Sequence, residues 1–535
     1  MRGDCTEGDG AATSEPLRAR GRYPVLQVAG RRRSLVGMIP WSRFEHTYAD
    51  AVPALSTTWS VPASPEPRLV VLNETLAADL GADVEWLRSP EGVRLLTGTP
   101  PSEMRTYVQA YAGHQFGGYS PVLGDGRALL LGEVIDAAGD RRDVHLKGSG
   151  RTPFARRGDG KAVIGPMLRE YLVSEAMHAL GVPTTRSLAV VTTGEKVARD
   201  GRMQPGAVLT RVAASHLRVG TVQYATASGD VAVLRSLLDY VIERHHPEAA
   251  GAANPYLALY ESVARAQARL VAQWMAVGFI HGVMNTDNTT LSGETIDYGP
   301  CAFIDAYDPA TVFSSIDHQG RYAYGNQPAV LQWNLARLAE AMLPVLAESQ
   351  EHAVEIAQAV LTRFVSWYND DYEALMLTKL GFPAPAASDA SASDDIAPGG
   401  DRSPHASLLA DLLELLREQT IDYTLFFRTL TRGRAQCRTL FTEPHVFDEW
   451  ADRRDLLLTD DPQVVAERMS PVNPAYIPRN HRVEEALTAA ESGDLAPFER
   501  LLEAVTHPHD ERPEFSDLAG PAPEGGPAHV TYCGT

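Results

Sequence analysis

Two side chains nine positions apart, Asn288 and Asp297, are where chemistry first becomes readable in this chain. Both carry hard oxygen donors, which Mg²⁺ takes in small number alongside phosphate oxygens and water, and which suit Mn²⁺ as well. They stand in His281-Gly-Val-Met-Asn-Thr-Asp-Asn288 and Asp297-Tyr-Gly299, after a long apolar stretch. Asp287, directly before Asn288, is a carboxylate that could accept or orient a hydroxyl proton beside a bound cation. Upstream, Gly124-Asp-Gly-Arg127 opens an apolar run. Glycines there let backbone N–H groups approach phosphate oxygens, and Arg127 adds a positive charge. Lys147 can meet a phosphate as a point charge. Glu170, on a stretch that reads as a helix over 162–180, is suited to orient that lysine as the helix glutamate of kinases does, with Glu175 as a competitor. Arg211 and Arg218 would share a face if their stretch is helical, and paired guanidiniums suit a phosphate chain.

Each of these residues also has a plain reading. The glycines can simply make a tight turn, the lysine and glutamates can be solvated, His281 can be a hydrogen-bonded core histidine, and the arginines can be scattered over the surface. Their order along the chain carries the weight. His281 and Asn288 keep the spacing of the kinase catalytic loop H-R-D-x-x-x-x-N, and Asp297-Tyr-Gly299 falls where D-F-G is expected. One position breaks the rule: the kinase base would fall at 283, which here is Val283. Two readings stay open at this point, a nucleotide-binding protein without catalysis and an active enzyme whose reacting groups sit elsewhere.

The elements that must position these groups follow from periodicity. Residues 128–135 and 143–147 read as strands, and 162–180 as a helix with Ile164, Leu168 and Leu172 on one side. The chain then turns helical, at 256–279, 331–347, 351–376 and 406–418. The expected organisation is α+β: a flexible extension over 1–40, a strand-rich N-lobe over 41–185 and a helical C-lobe over 186–505. Within the last, the Pro/Ala/Ser/Asp-rich stretch 383–405 reads as a disordered insertion, and 506–535 as a flexible tail bearing Cys533. A small strand-rich lobe followed by a larger helical one is the plan of a bilobed, protein-kinase-like fold.

The formal net charge of −20 argues against a nucleic-acid partner. No run of about 18 apolar residues points to a membrane span, and Arg31-Arg-Arg33 precedes no export-type apolar core. Four scattered cysteines, Cys5, Cys301, Cys437 and Cys533, form no zinc pattern and fit a reducing cytoplasm. Against this acidic background Arg141, Arg142, Lys147 and the segment Arg151–Lys161 make a dense basic stretch.

Several longer motifs carry a likeness. Tyr111-Ala-Gly-His-Gln-Phe-Gly-Gly-Tyr119, Gly124-Asp-Gly-Arg127, Leu146-Lys-Gly-Ser-Gly-Arg-Thr-Pro153, Arg157-Gly-Asp-Gly160, Asn285-Thr-Asp-Asn288 and Asp297-Tyr-Gly-Pro300 resemble the selenoprotein O family. Asp317-His-Gln-Gly-Arg-Tyr322 and Asn473-Pro-Ala-Tyr-Ile-Pro-Arg-Asn480 extend the likeness, which runs in order over about 40–505. The resemblance implies a pseudokinase-like protein adenylyltransferase that moves AMP from ATP to Ser, Thr or Tyr hydroxyls of proteins, with ATP inverted relative to kinases. It implies ATP binding by Gly124, Gly126, Arg127, Lys147, Asp159, Gly160, Arg211, Arg218 and Asp297. It also implies a Glu170–Lys147 pair, Asp287 as proton acceptor, and Mg²⁺ (or Mn²⁺) on Asn288 and Asp297. An inverted nucleotide accounts for Val283, since the base need not stand at the kinase position. A γ-phosphoryl-transferring kinase and an inactive ATP-binding scaffold are the alternatives. Cys533 lies where family members carry a near-terminal selenocysteine or cysteine, and Cys301 is the nearest candidate for its redox partner.

Overall fold

Alternating apolar runs in the first part of the chain close into one antiparallel sheet. The computed structural model describes residues 44–199, 201–384, 403–523, 525 and 529–531. In chain order the strands are β1 (Ser56–Thr58), β2 (Arg68–Leu72), β3 (Tyr107–Gln109), β4 (Gly113–Gln115), β5 (Gly118–Ser120), β6 (Ala128–Ile135), β7 (Arg141–Lys147), β8 (Ala162–Val163), β9 (Arg186–Arg199) and β10 (Arg202–Ala213). The sheet order is β1-β3-β6-β7-β10-β9-β2, with β8 added against β10, while β4 and β5 pair as a separate hairpin. Short helices α1 (Thr47–Ala51), α2 (Glu74–Asp79), α3 (Val84–Arg88) and α4 (Pro90–Leu95) fill the early links.

Register decides which side chains meet. Leu209 of β10 stands opposite Lys147 of β7, and Arg211 stands opposite His145. Because strand side chains alternate, Lys147 and Arg211 project from the same face as diagonal neighbours. Helix α5 (Ile164–Ala179) crosses the sheet, burying Met167, Leu168, Tyr171 and Leu172 in a core shared with Val190, Ala207 and Leu209.

The helical part begins with α6 (Val219–Ala227), α7 (Val231–His245) and α8 (Pro255–Val277). Helix α8 has strong end signals. The Asn254 side chain accepts from the Leu257 N–H, Pro255 opens the first turn, and Gly278 ends it at φ 74°. Directly after it, β11 (Phe279–Ile280) pairs antiparallel with β12 (Ala302–Phe303). Residues 281–301, which hold Asp287, Asn288 and Asp297, are therefore a loop clamped at both ends. Helices α9 (Gln327–Leu346), α10 (Gln350–Lys379), α11 (Pro404–Glu418), α12 (Tyr423–Arg432), α13 (Arg434–Arg438), α14 (Pro444–Leu457) and α15 (Pro462–Met469) build the large core beneath it.

The expected lobe boundaries move. The sheet does not stop at 185, because β9 and β10, its two longest strands, continue it to Ala213. Helices α16 (Asn480–Glu491) and α17 (Ala496–Val505), expected in the helical lobe, pack instead on α5. Their Val483, Leu487, Phe498 and Leu501 share the α5 core, as do Phe515 and Leu518. The end of the chain thus returns to brace the sheet-bearing lobe, and the stretch after 506 is ordered through the 3₁₀ turn Pro513–Leu518. The expected extension over 1–40, most of the 383–405 insertion, and Cys533 lie outside the described residues.

Candidate active site

The same-face placement of Lys147 and Arg211 produces a charge quartet with three buried members and a part-exposed Asp297. Lys147 Nζ donates to Glu170 Oε2 at 2.7 Å and also to Asp297 Oδ1. Arg211 donates through Nε to Glu170 Oε1 and through Nη2 to Asp297 Oδ1, the latter at 2.9 Å. Two cations and two carboxylates close a ring between the sheet, α5 and the clamped loop. Lys147, Glu170 and Arg211 are all buried. Burial lowers the Lys147 ammonium from its ordinary value, with the Arg211 charge acting the same way. The Asp297 carboxyl is held well below the usual range despite burial, by Lys147 and then Arg211. Asp297 has φ 70°, a left-handed conformation that is strained for a non-glycine and is held by the surrounding contacts.

Two cavities open on this ring. One, of about 290 Å³, is lined by Arg127, Lys147, Glu170, Val283, Asn288 and Asp297, with Val530 from the C-terminal stretch on its wall. The second, of about 620 Å³, shares Arg127, Asn288 and Asp297 and adds Gly124, Gly126, Asp159, Gly160, Arg218 and Asp287. The Asn288 amide nitrogen donates to the Val283 carbonyl at 3.0 Å, which leaves its Oδ1 as an oxygen donor beside Asp297. That pair fits a cation needing few protein ligands plus phosphate and water. Among the described residues no group of three or more His, Cys, Asp or Glu side chains could hold a metal by itself.

Asp287 is 8% exposed. Its Oδ2 accepts from Gln115 Nε2 at 3.2 Å, while Oδ1 is buried without a hydrogen-bond partner. Desolvation pushes its carboxyl up to about 6, against the pull of Arg218. Arg218 Nη1 donates to the Asp287 carbonyl at 3.0 Å, its Nε to the His216 carbonyl at 3.1 Å, and its guanidinium lies 4.4 Å over the Tyr111 ring. A cleft therefore holds cations suited to a triphosphate, two hard oxygens at one edge and a carboxyl able to exchange a proton near neutrality.

The family model for protein adenylyltransferase SelO matches residues 42–506. The chain belongs to the SelO family. Among its relatives, protein nucleotidyltransferase YdiU of Mycobacterium sp. (strain KMS) is 56% identical over 493 residues, covering 91% of this chain and 98% of the relative. The protein of the same name from Mycolicibacterium smegmatis is 57% identical over 496 residues, with 91% and 97% covered. That from Cereibacter sphaeroides (strain KD131) is 54% identical over 498 residues, with 92% and 99% covered. A solved structure described as ROP2 from Toxoplasma gondii, with a protein-kinase fold and no enzymatic activity, aligns at 11% identity and a TM-score of 0.23 over 66% of this chain and 88% of that one. That score is too low to carry weight; the bilobed kinase-like plan is seen in the strand–helix–loop order around the quartet.

In this SelO family member most of the residues singled out in the sequence line the two cavities, with differences of detail. Arg211 and Arg218 are not on a helix face: Arg211 sits in β10, and Arg218 in the turn before α6. Arg211 lines neither cavity and instead backs Lys147 and Asp297. The glycine N–H groups are also already used, Gly124 donating to the Tyr111 carbonyl at 3.1 Å and Gly126 to the Gly124 carbonyl at 2.8 Å. Gly124 is needed for shape: its φ is 63°, and a Cβ there would lie 2.3 Å from the Phe154 ring. Asp159 faces the larger cavity but pairs with Arg199 at 2.7 Å. Glu175 is no rival to Glu170, because it binds Arg186 and Asn73. Arg141 and Arg142 pair with carboxylates of the β6–β7 region, and neither lines the two cavities. His281 is a core histidine, buried with Nε2 at 2.9 Å from the Ile296 carbonyl. It ties the two halves of the loop together. Cys301 is buried, and its thiol is pushed up to about 12 by desolvation, which disfavours it as a redox partner. Gln115, which orients Asp287, had no signal of its own beyond lying in the Tyr111–Tyr119 motif.

Proposed function

We infer that this protein is an adenylyltransferase that moves AMP from ATP to Ser, Thr or Tyr hydroxyls of acceptor proteins and releases pyrophosphate. Membership of the SelO family supports the reaction class. The observation that carries the assignment of roles is Asp287: an unpartnered carboxylate oxygen in the same cavity as Arg127, Arg218, Asn288 and Asp297, the last of which binds Lys147. The acceptor oxygen forms a bond to the α-phosphorus as its proton passes to Asp287, and the bond from that phosphorus to the α,β-bridging oxygen breaks. Lys147, Arg127 and Arg218 offset the charge of the triphosphate and the departing pyrophosphate. Glu170 and Arg211 hold Lys147 and Asp297 in place. Asn288 and Asp297 are the residues that would hold Mg²⁺ or Mn²⁺, which when bound neutralises phosphate charge.

Val283 is buried, apolar and set in the smaller cavity, so no base stands where a γ-phosphoryl-transferring kinase needs one. Incubation with α-labelled and with γ-labelled ATP separates the readings. AMP transfer puts label on protein only from the α position; label from the γ position would establish a kinase, and no label from either would establish a non-catalytic nucleotide-binding protein.

A further inference from the structure

Two of the motifs that mark the family, Tyr111–Tyr119 and Asp317–Tyr322, meet in the fold beside Asp287, and only Tyr111 and Gln115 of them line the larger cavity. The hairpin β4–β5, which overlaps the Tyr111–Tyr119 motif and ends at Ser120, is fastened to the loop that holds Asp287 at three points. His114 N–H donates to Thr286 Oγ1 at 2.7 Å, Gln115 Nε2 to Asp287 Oδ2 at 3.2 Å, and Phe116 N–H to Asn285 Oδ1 at 3.2 Å. Tyr322, from the Asp317–Tyr322 motif, donates its hydroxyl to the same Asn285 Oδ1 at 2.7 Å, and its ring lies 5.1 Å from that of Phe116. The outer side of this assembly is apolar and open, with Phe116 39% and Tyr119 46% exposed. Phe116 also holds φ 50°, a strained conformation for a side chain of its size. One side of the Phe116 ring meets Tyr322 and the rest of it is left open to a partner.

Arg321 supplies the second half. Its guanidinium lies 4.7 Å from the Trp333 ring centroid, and a Cβ built on Gly117 at the hairpin tip would be 4.0 Å from its Cζ. Among the described residues no carboxylate forms a salt bridge with it. Asp317 instead accepts from the backbone N–H groups of Arg321 and Tyr322, at 2.9 Å and 2.7 Å. Arg337, 4.9 Å from the centroid of the same indole, is paired with Glu340 at 2.6 Å. In a chain of net charge −20, an arginine held over the Tyr322 and Trp333 rings beside the hairpin tip, with no salt-bridge partner among the described residues, is an unfilled half of an ion pair. Aromatic residues with arginine are the composition of protein-binding surfaces.

We propose that the β4–β5 hairpin and Arg321 form the docking platform for the acceptor protein. The platform takes a segment that lays an apolar or aromatic side chain against Phe116 and Tyr119 and an acidic side chain against Arg321. It rests on the AMP-transfer reading and gives that reading a substrate class: hydroxyl residues with apolar and acidic neighbours.

The test uses the full chain, Mg²⁺, α-labelled ATP and a peptide library with one fixed Ser, Thr or Tyr and randomised flanks. Acidic residues are expected to enrich at one or more flanking positions by about tenfold, the equivalent of one well-formed contact. Arg321→Glu is expected to turn that preference from acidic to basic, a change that loss of structure cannot produce. The double variant Phe116→Ser/Tyr119→Ser is expected to raise KM for the best peptide about tenfold with kcat and ATP-analogue affinity retained. Label spread evenly over the library, or an acidic preference that Arg321→Glu leaves unmoved, overturns the platform while leaving AMP transfer intact. A wild-type chain that labels no acceptor overturns the transfer reading and the platform with it. A dimer that Arg321→Glu splits, with peptide preference unchanged, assigns the surface to self-association instead.

Discussion

At the scale of single residues, Asp287 is the group on which most depends. Its carboxyl is raised to about 6 by desolvation, so the ionised form needed to accept a proton fills as pH rises through that value. The kcat/KM profile for acceptor is expected to climb to a plateau above about pH 7, with a midpoint near 6. Asp287→Asn should lower the plateau about 10²- to 10⁴-fold, the usual span for loss of a general base. The stability effect has the opposite sign. A carboxyl whose folded value exceeds its unfolded value of about 4 stabilises the fold below that value, and the contribution is lost as pH rises through about 6. Asp287→Asn should therefore melt no lower than the parent at pH 8, which differential scanning calorimetry can check. That Asp287, Asn288 and Asp297 share one cavity was legible in the sequence because they stand close together in a single loop. Gln115 and Arg321 were not, since the contact of Gln115 with Asp287 and the approach of Arg321 to Gly117 span more than 100 residues of chain and leave no periodic trace.

At the scale of elements, the turn Gly124–Arg127 and the two strands bearing cations make separate claims. Gly124→Ala faces both a left-handed backbone and the Phe154 ring. The backbone term alone costs about 1–2 kcal/mol, and the clash adds to it. Pairing it with Phe154→Ala should recover the steric part, so the two changes should be non-additive in urea unfolding. Glu170→Gln leaves Lys147 and Arg211 with one carboxylate between them. Breaking a buried charge set in this way should destabilise the protein by about 3 kcal/mol and weaken binding of ATP analogues. The strand bearing Lys147 and the helix bearing Glu170 could be read from alternation and 3.6-residue spacing. Whether Arg211 and Arg218 share a face was left open by the sequence, because a short apolar stretch gives strand and helix similar patterns, and β10 extends through Thr210-Arg-Val-Ala213.

At the scale of the whole molecule, the division into lobes was the least legible feature. Helices α16 and α17 return to α5 across about 300 residues, and no local signal encodes which distant face an amphipathic helix will choose. The large helical core also contains a surprise in Lys379, which is 5% exposed and held over Phe427 at 4.4 Å, with no carboxylate bound to it among the described residues. Desolvation lowers its ammonium to about 7, below the unfolded value of about 10. Its folded-state penalty is complete below pH 7 and is relieved as pH rises through the window from 7 to 10. Lys379→Met should accordingly stabilise the protein by about 2 kcal/mol at pH 6 and by less at pH 9, measured by denaturant midpoints.

The ring of Lys147, Glu170, Arg211 and Asp297 has a thermodynamic corollary for the whole cleft. It is electrically neutral and complete when empty, so a metal ion that draws on Asp297 strands the ammonium and guanidinium, and phosphates that draw on Lys147 strand the carboxylates. Either guest alone meets that penalty in full, whereas both together cancel it. Cation and nucleotide are therefore expected to be reciprocal effectors, each tightening the other by the same factor. Calorimetric titration of Mg²⁺ into the free protein should give little heat, and into the protein saturated with a non-hydrolysable ATP analogue a clear one. In Arg211→Met, where the ring is already open, that mutual dependence should shrink.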